Sequence, residues 1–400
     1  MKRTIEKTAM ARRNNEAGVT LVELVISTAL AAMLSAGLFY MMAGQSNNYS
    51  RQLNNVTSTQ ALWGAMEFIQ RQIRHAGAGF AGCPSGEVRV YDAADGTARS
   101  LFSGLTIYNN CNLLKRKPAD CDSPADAADD GVDSFVVTYA NGFDASPNGL
   151  SMHSHNTPPT AANNFIESPA GLKADDFILF TLPGTDAQCV LMQLTSDEML
   201  SGDKWKLIHN SGISDFNPPG GFNMFDSYPD DRWGEVQIIP LIAQYNSIPR
   251  FFAIDSDSNP PKLVTWSTSS MDDPKSDMGN LEVVAEGIED LQLAAACDDN
   301  GNGTLETTTK ETEDEWAYNA LGDVVPDCIA LGRNPGGAQN ILAVRVSLTM
   351  RSGTEKSSGP KGKRAAAEDH PEALGSDRYQ RNYLTASVRP RNLRPNFISE

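Results

Sequence analysis

The chain has 400 residues, with 33 Lys and Arg against 50 Asp and Glu, a net charge of −17 and a pI near 4.7. That balance argues against nucleic-acid binding by the chain as a whole, because a phosphate backbone requires a basic surface. The length suits one or two domains with a sizeable core. No Gly-x-Ser-x-Gly elbow, His-Glu-x-x-His pair or phosphate-binding glycine loop marks it as an enzyme.

Residues 1–18 form a short basic leader ending in Gly18, with five cations against two carboxylates, a net of +3. Val19 to Ala43 follow as 25 residues whose single ionisable charge is Glu23. Positive residues hold their flank on the cytoplasmic side, and about 20 apolar helical residues cross a bilayer. A carboxylate there costs roughly 2.5–3.5 kcal/mol on insertion scales, so Glu23 calls for a functional reason. An ordinary secretory signal has a shorter apolar core, with its cleavage site after that core. Here the candidate cut lies before it, between Gly18 and Val19.

The string Gly18-Val19-Thr20-Leu21-Val22-Glu23-Leu24, behind its basic leader, resembles the class III signal of type IV prepilins. Most members of that family have phenylalanine after the cut and Thr-Leu-Ile-Glu following; this chain has Val19 and Val22. The resemblance implies that a membrane aspartyl peptidase cuts after Gly18 and methylates the freed amine of Val19. It also implies assembly roles for Thr20 and Glu23, with Glu23 of one subunit meeting the ammonium group of a neighbour. Such a pair sets register even where it adds little net stability. The plain alternative is an uncleaved signal anchor carrying a periplasmic enzyme or binding domain.

Beyond the span, residues 44–79 continue the helical pattern as an amphipathic half. Leu53, Val56, Trp63, Met66, Ile69 and Ile73 recur at helical spacing and read as one apolar face, with Asn54, Asn55, Ser58, Arg71 and Gln72 outside it. Glycines at 77 and 79 end the helix near His75. From Val19 to His75 such a helix would run roughly 85 Å.

Residues 80–400 change texture. Short β-rich runs alternate with Gly/Pro/Asn/Asp loops. Strands are expected at Val132–Tyr139, Phe177–Leu182, Gln188–Thr195, Lys204–Ile208, Gln237–Ala243, Arg250–Ile254, Lys262–Trp266, Leu281–Ala285, Ile341–Met350 and Tyr383–Arg389. Residues 285–293 fit either helix or strand. Polar loops are expected at 92–100, 115–130, 142–164 and 352–377, the last mobile. The fold class is therefore α+β, a long amino-terminal helical spine packed on an antiparallel β-rich head.

Six cysteines fit an oxidising compartment. Fifteen pairings are possible. Proximity favours Cys111–Cys121, Cys297–Cys328 and Cys83–Cys189, with reduced buried thiols as the alternative. Asp298, Asn300, Asn302, the Thr304 carbonyl and Glu306 follow the first part of a calcium loop, but Thr309 stands where a bidentate glutamate would close it. An Asn/Gly turn is the simpler reading, and a structural calcium ion the alternative. No other cofactor is expected. His153 and His155 lack a third ligand nearby, and the Asp-Asp pairs at 129–130, 175–176, 230–231 and 272–273 read as caps and turns. Residues 351–400 carry ten Lys and Arg against six Asp and Glu, suggesting a solvated or subunit-contacting surface.

Two later strings, Val284 to Leu293 and Ala343 to Ser352, followed by Tyr383 to Leu393, look like the carboxy-terminal part of PilW-type minor pilins. The resemblance implies a minor type IV pilin that assembles or primes a pilus, with a head of about 320 residues suited to the tip. A type II secretion pseudopilin is the close alternative. The implied partners are other major and minor pilins, prepilin peptidase, the inner-membrane assembly platform and, before assembly, membrane lipid. The implied location is the inner membrane, single-pass with the head in the periplasm, then the surface pilus.

Overall fold

A computed structural model describes residues 19–78, 87–92, 96–102, 104–117, 121, 131–137, 139, 150–151, 162–181, 189–210, 212–214, 216–219, 235–241, 250–267, 281–297, 305, 315–317, 341–353, 355, 361–368, 373–374 and 377–390. The chain divides into two compact units, Met1–Val56 and Thr57–Glu400. One helix, α1 (Leu21–His75), supplies nearly all the described part of the first unit and opens the second. It holds no proline. It ends at Gly77, whose φ of +74° reverses the chain without a Cβ penalty, while Ala76 N–H and Ala78 N–H bond back to Ile73 and His75 carbonyls.

In the first unit the described side chains of α1 are exposed on nearly every side. Leu21, Val22, Leu24, Val25, Ile26, Leu30, Met33 and Leu34 all show more than half their surface. A helix apolar all round belongs in lipid or among other helices. It is long and apolar enough to cross a membrane.

Twenty strands follow in the second unit among the described residues. They are β1 (Glu87–Asp92), β2 (Thr97–Phe102), β3 (Leu105–Tyr108), β4 (Ser134–Val137), β5 (Leu150–Ser151), β6 (Asn163–Ile166) and β7 (Phe177–Thr181). Next come β8 (Cys189–Gln193), β9 (Met199–Ser201), β10 (Lys204–Ile208), β11 (Gln237–Leu241), β12 (Arg250–Asp255), β13 (Lys262–Ser267) and β14 (Glu282–Glu286). The last are β15 (Ile288–Ala296), β16 (Trp316–Ala317), β17 (Ala343–Arg351), β18 (Lys363–Arg364), β19 (Ala373–Leu374) and β20 (Arg381–Val388).

The strands form sheets ordered β2-β1-β8-β7-β11-β5, β6-β10-β9, β14-β13-β12-β4-β3, β16-β15-β17-β20 and β18-β19. Pairing is antiparallel except where Val88 and Arg89 of β1 meet Cys189 and Val190 of β8. This is α+β architecture, with one helix among the described residues. Residues 285–293 are strand: β14 passes through Gly287 into β15, changing sheets as it does so. Gly287 has a φ of +88°, and a Cβ there would lie 3.1 Å from the Arg351 carbonyl oxygen. Several strands lie where polar loops were expected. Thr97–Ser100 belong to β2, closing a hairpin on β1 through Gly96 at φ +73°, and β5 and part of β6 fall inside 142–164.

The main core joins α1 to two of the sheets. Leu62, Ala65, Met66, Ile69, Ile73 and Ala76 share one core with Phe135, Val137, Phe252 and Ile254 of β4 and β12 and with Leu291, Leu293, Val344, Val346 and Leu348 of β15 and β17. The Phe135 and Phe252 rings stack 4.4 Å apart, and Phe68 of the helix meets Phe252 at 6.1 Å. A second core, built on Ile166, Ile178, Phe180, Val190, Met192, Leu207 and Ile238, lies between the six-stranded and three-stranded sheets.

The buried face of the helix differs from the one expected. Trp63 is 59% exposed, and Leu53 and Val56 are each 53% exposed, whereas Met66, Ile69 and Ile73 are buried. Ser58 and Gln72, expected outside, are buried too. The physical reason is a seam spaced four and three residues apart, Ser58, Leu62, Ala65, Ile69, Gln72 and Ala76, which keeps one stripe on the sheets. The Tyr139 hydroxyl satisfies buried Gln72 by donating to its Oε1 at 2.7 Å.

Candidate functional site

The site begins where α1 begins. Leu24 N–H bonds the Thr20 carbonyl at 3.1 Å, making Thr20 the residue that caps the helix. Glu23 N–H donates to Thr20 Oγ1 at 3.2 Å, and Thr20 N–H donates to Glu23 Oε2 at 3.0 Å. The Thr20 hydroxyl also donates to Glu23 Oε2 at 3.0 Å. This is a reciprocal capping box, Thr-x-x-Glu, which satisfies two otherwise orphaned donors. It fixes the Glu23 rotamer against the first turn, and Oε1 has no hydrogen bond among the described residues.

Further along the apolar run, polar side chains turn inward on their own helix. Ser27 Oγ donates to the Glu23 carbonyl at 2.7 Å, and Thr28 Oγ1 donates to the Leu24 and Val25 carbonyls at 3.0 Å. Both hydroxyls are thereby satisfied without water, as a lipid-facing helix requires. Glu23 alone keeps a carboxylate oxygen directed elsewhere. What the segment offers chemically is one preset anionic acceptor beside an exposed Val19, at the head of a helix with no apolar partner of its own among the described residues of its unit.

Residues 13–39 match the family model described as the prokaryotic N-terminal methylation motif. The match supports a type IV pilin-like protein. No curated protein and no solved structure matches the chain. A motif of this kind implies processing by prepilin peptidase and assembly with other pilins in general terms, and with α1 it fits a membrane-anchored pilin-like chain. Gly18 lies outside the described residues, and Val19 is 71% exposed.

Elsewhere in the pilin-like head, Cys111 and Cys121 are disulfide-bonded, with Cα atoms 5.7 Å apart. The bond closes a turn anchored by buried Leu113 and by Asn112, whose side chain donates to the Ile254 carbonyl. Cys189 and Cys297 each take part in a disulfide bond too, but not with one another. Cys83 and Cys328, their expected partners, lie outside the described residues, as do Asp298, Asn300, Asn302, Thr304 and Glu306 of the candidate calcium loop, and His153 and His155. Among the described residues no cluster of metal-ligating side chains occurs. Of the aspartate pairs, Asp175–Asp176 is described: Asp175 sits at φ +70° and Asp176 accepts from Lys173 N–H, so the pair shapes a turn.

Three arginines of the carboxy-terminal part are engaged internally. Arg381 pairs with Glu289 and Asp377, Arg364 with Asp290, and Arg351 donates to Asn259 while lying over the Tyr379 ring. The hydrogen bond from Arg381 holds the Asp377 carboxyl below the usual carboxylate range. Two features escaped sequence reading. The capping box is written in Thr20-Leu21-Val22-Glu23 and is the signature of a helix start. The other is Asp133, fully buried, whose carboxylate accepts from Asn110 N–H and Leu293 N–H at 2.7 Å and ties two sheets together; no local pattern announces it.

Proposed function

We propose that this chain is a minor type IV pilin of the PilW type, a structural subunit rather than an enzyme, that takes part in assembling or priming a pilus. Prepilin peptidase cuts between Gly18 and Val19 and methylates the new amine. The subunit waits as a single-pass inner-membrane protein with its head in the periplasm. It then enters the fibre with other pilins through the assembly platform. Burial of the apolar helix against neighbouring helices drives entry without directing it. Pairing of Glu23 with a neighbour's Val19 ammonium sets the axial step. The size of the head favours the tip over repeated positions along the shaft.

The observation that supports this best is the conjunction of the methylation motif with a Glu23 carboxylate held in a capping box at the head of the apolar run that opens α1. A mass measurement of the mature amino terminus tests it. N-methyl valine at position 19 is expected; retention of Met1 to Gly18 would instead favour an uncut anchor on a periplasmic enzyme or binding domain. A pseudopilin shares all these features, because they concern the spine alone. Deleting the gene and scoring surface pili against protein secretion separates the two machines.

A further inference from the structure

The sheet β16-β15-β17-β20 has two faces of different character, both buried over β15 and β17. One packs Leu291, Leu293, Val346 and Leu348 toward α1. The other is polar along its middle, where register places Asp290 beside Thr349 and Tyr383 and Gln292 beside Ser347 and Thr385; beyond Arg345, Ala294, Ala296, Ala343 and Trp316 form a small apolar cluster on it. Asp290, Gln292, Ser347 and Thr349 are each no more than 1% exposed. Thr349 Oγ1 is buried there without a hydrogen-bond partner.

Residues 361–368 lie over this face. Glu368, at φ +48°, accepts from Arg345 Nε at 2.8 Å and Nη2 at 2.6 Å, and from Ser347 Oγ at 3.0 Å. Arg364 Nε stands 3.8 Å from Asp290 Oδ2. Lys363 and Arg364 form β18, paired with β19. Gly362 N–H bonds the Asp377 carbonyl at 2.9 Å. A Cβ on Gly362 would clash with the Tyr379 carbonyl oxygen, so the segment seats closely. Its one buried apolar side chain is Ala367.

A permanent cover over a sheet is normally apolar, because buried polar groups gain nothing from leaving water. A contact made of ion pairs and hydroxyl bonds separates more readily, since both surfaces rehydrate and little apolar area is exposed. We infer that residues 361–368 are a releasable strap, clasped by Glu368 on Arg345 and by Arg364 on Asp290. The strap lifts from the polar face of this sheet while the rest of the head stays folded.

Trypsin digestion of the full chain in detergent, with peptides followed by mass spectrometry across a urea series below the unfolding transition, tests this. Cuts after Lys363 and Arg364 report strap opening; cuts after Arg345, Arg351 and Arg381, inside β17 and β20, report opening of the sheet. Strap cuts are expected to be at least about tenfold faster, with little urea dependence, because lifting exposes little surface. Glu368→Gln is expected to accelerate the strap cuts about tenfold by removing the charge from the clasp, leaving the strand cuts unchanged. Gly362→Ala is expected to do the same through the seat instead of the ion pair. If strap and strand cuts in the unmodified chain share one rate and one urea dependence, the segment opens only with the sheet and the inference fails, whether or not the variants fold. It fails equally if folded Glu368→Gln and Gly362→Ala are cut at the unmodified rate.

Discussion

Glu23 and Thr20 hold each other: one carboxylate oxygen of Glu23 lies 3.0 Å from both the backbone nitrogen and the hydroxyl of Thr20, and the hydroxyl receives the Glu23 amide in return. Thr20 is therefore the residue that aims Glu23. Replacing Thr20 by Ala removes the cap and costs about 1 kcal/mol at the helix start. Amide exchange at Glu23 in the detergent-solubilised chain is expected to quicken about fivefold, and Thr20→Ser to restore protection. Unchanged exchange in Thr20→Ala would show that the cap contributes nothing to helix initiation.

The two faces of the soluble helix make opposite predictions. Met66 is 1% exposed in the main core, so Met66→Ala is expected to destabilise the head by about 2–5 kcal/mol. Trp63, at 59% exposure, is expected to tolerate Ser within about 0.5 kcal/mol. Urea denaturation of the two variants separates them. A large loss in Trp63→Ser would place that ring in the core.

That contrast shows what the sequence made legible. A helix over this segment was readable from spacing, yet the bulk of Trp63 drew the apolar face toward it and away from Leu62 and Ala65, which line the seam. Strands rich in apolar residues, such as Lys204–Ile208, were found at their observed bounds. Polar strands such as Thr97–Phe102 were not, because their pairing with Glu87–Asp92 is a tertiary fact. At the site, Glu23 stood out as a charge in a greasy run. Its partner Thr20 was visible only as part of a motif, and its orientation required the helix to be built.

Gly287 marks the crossing from β14 to β15, and two separate effects forbid a side chain there. Its φ of +88° costs a non-glycine residue about 1–2 kcal/mol by itself. The Arg351 carbonyl oxygen, 3.1 Å from a Cβ, adds a clash with backbone that cannot give way easily. Gly202, at φ +74° in an open turn between β9 and β10, carries the first cost without the second. Gly287→Ala is therefore expected to lower the thermal midpoint more than Gly202→Ala. Equal shifts would mean that the crossing yields.

His209 gives the head a defined response to acid. It is 2% exposed, its Nε2 lies 2.5 Å from Asn164 Oδ1, and its ring meets Phe180 edge-on at 5.9 Å. Burial in this apolar setting disfavours the imidazolium ion and pushes the pKa down to about 4 from 6.5. In the unfolded chain the same imidazole takes a proton below about pH 6.5. The unfolded state therefore binds more protons between pH 6.5 and 4, and stability falls with pH throughout that window. The full difference is about 3 kcal/mol, present above pH 6.5 and gone by pH 4. His209→Gln keeps a polar neighbour for Asn164 and removes the titration. Urea denaturation at intervals from pH 7 to 4 is expected to show the stability gap between the two proteins closing by about 3 kcal/mol as pH falls, with carboxylate titrations cancelling in the comparison. Parallel stability curves would mean that His209 titrates alike in the folded and unfolded chains, and would remove it as the source of acid sensitivity.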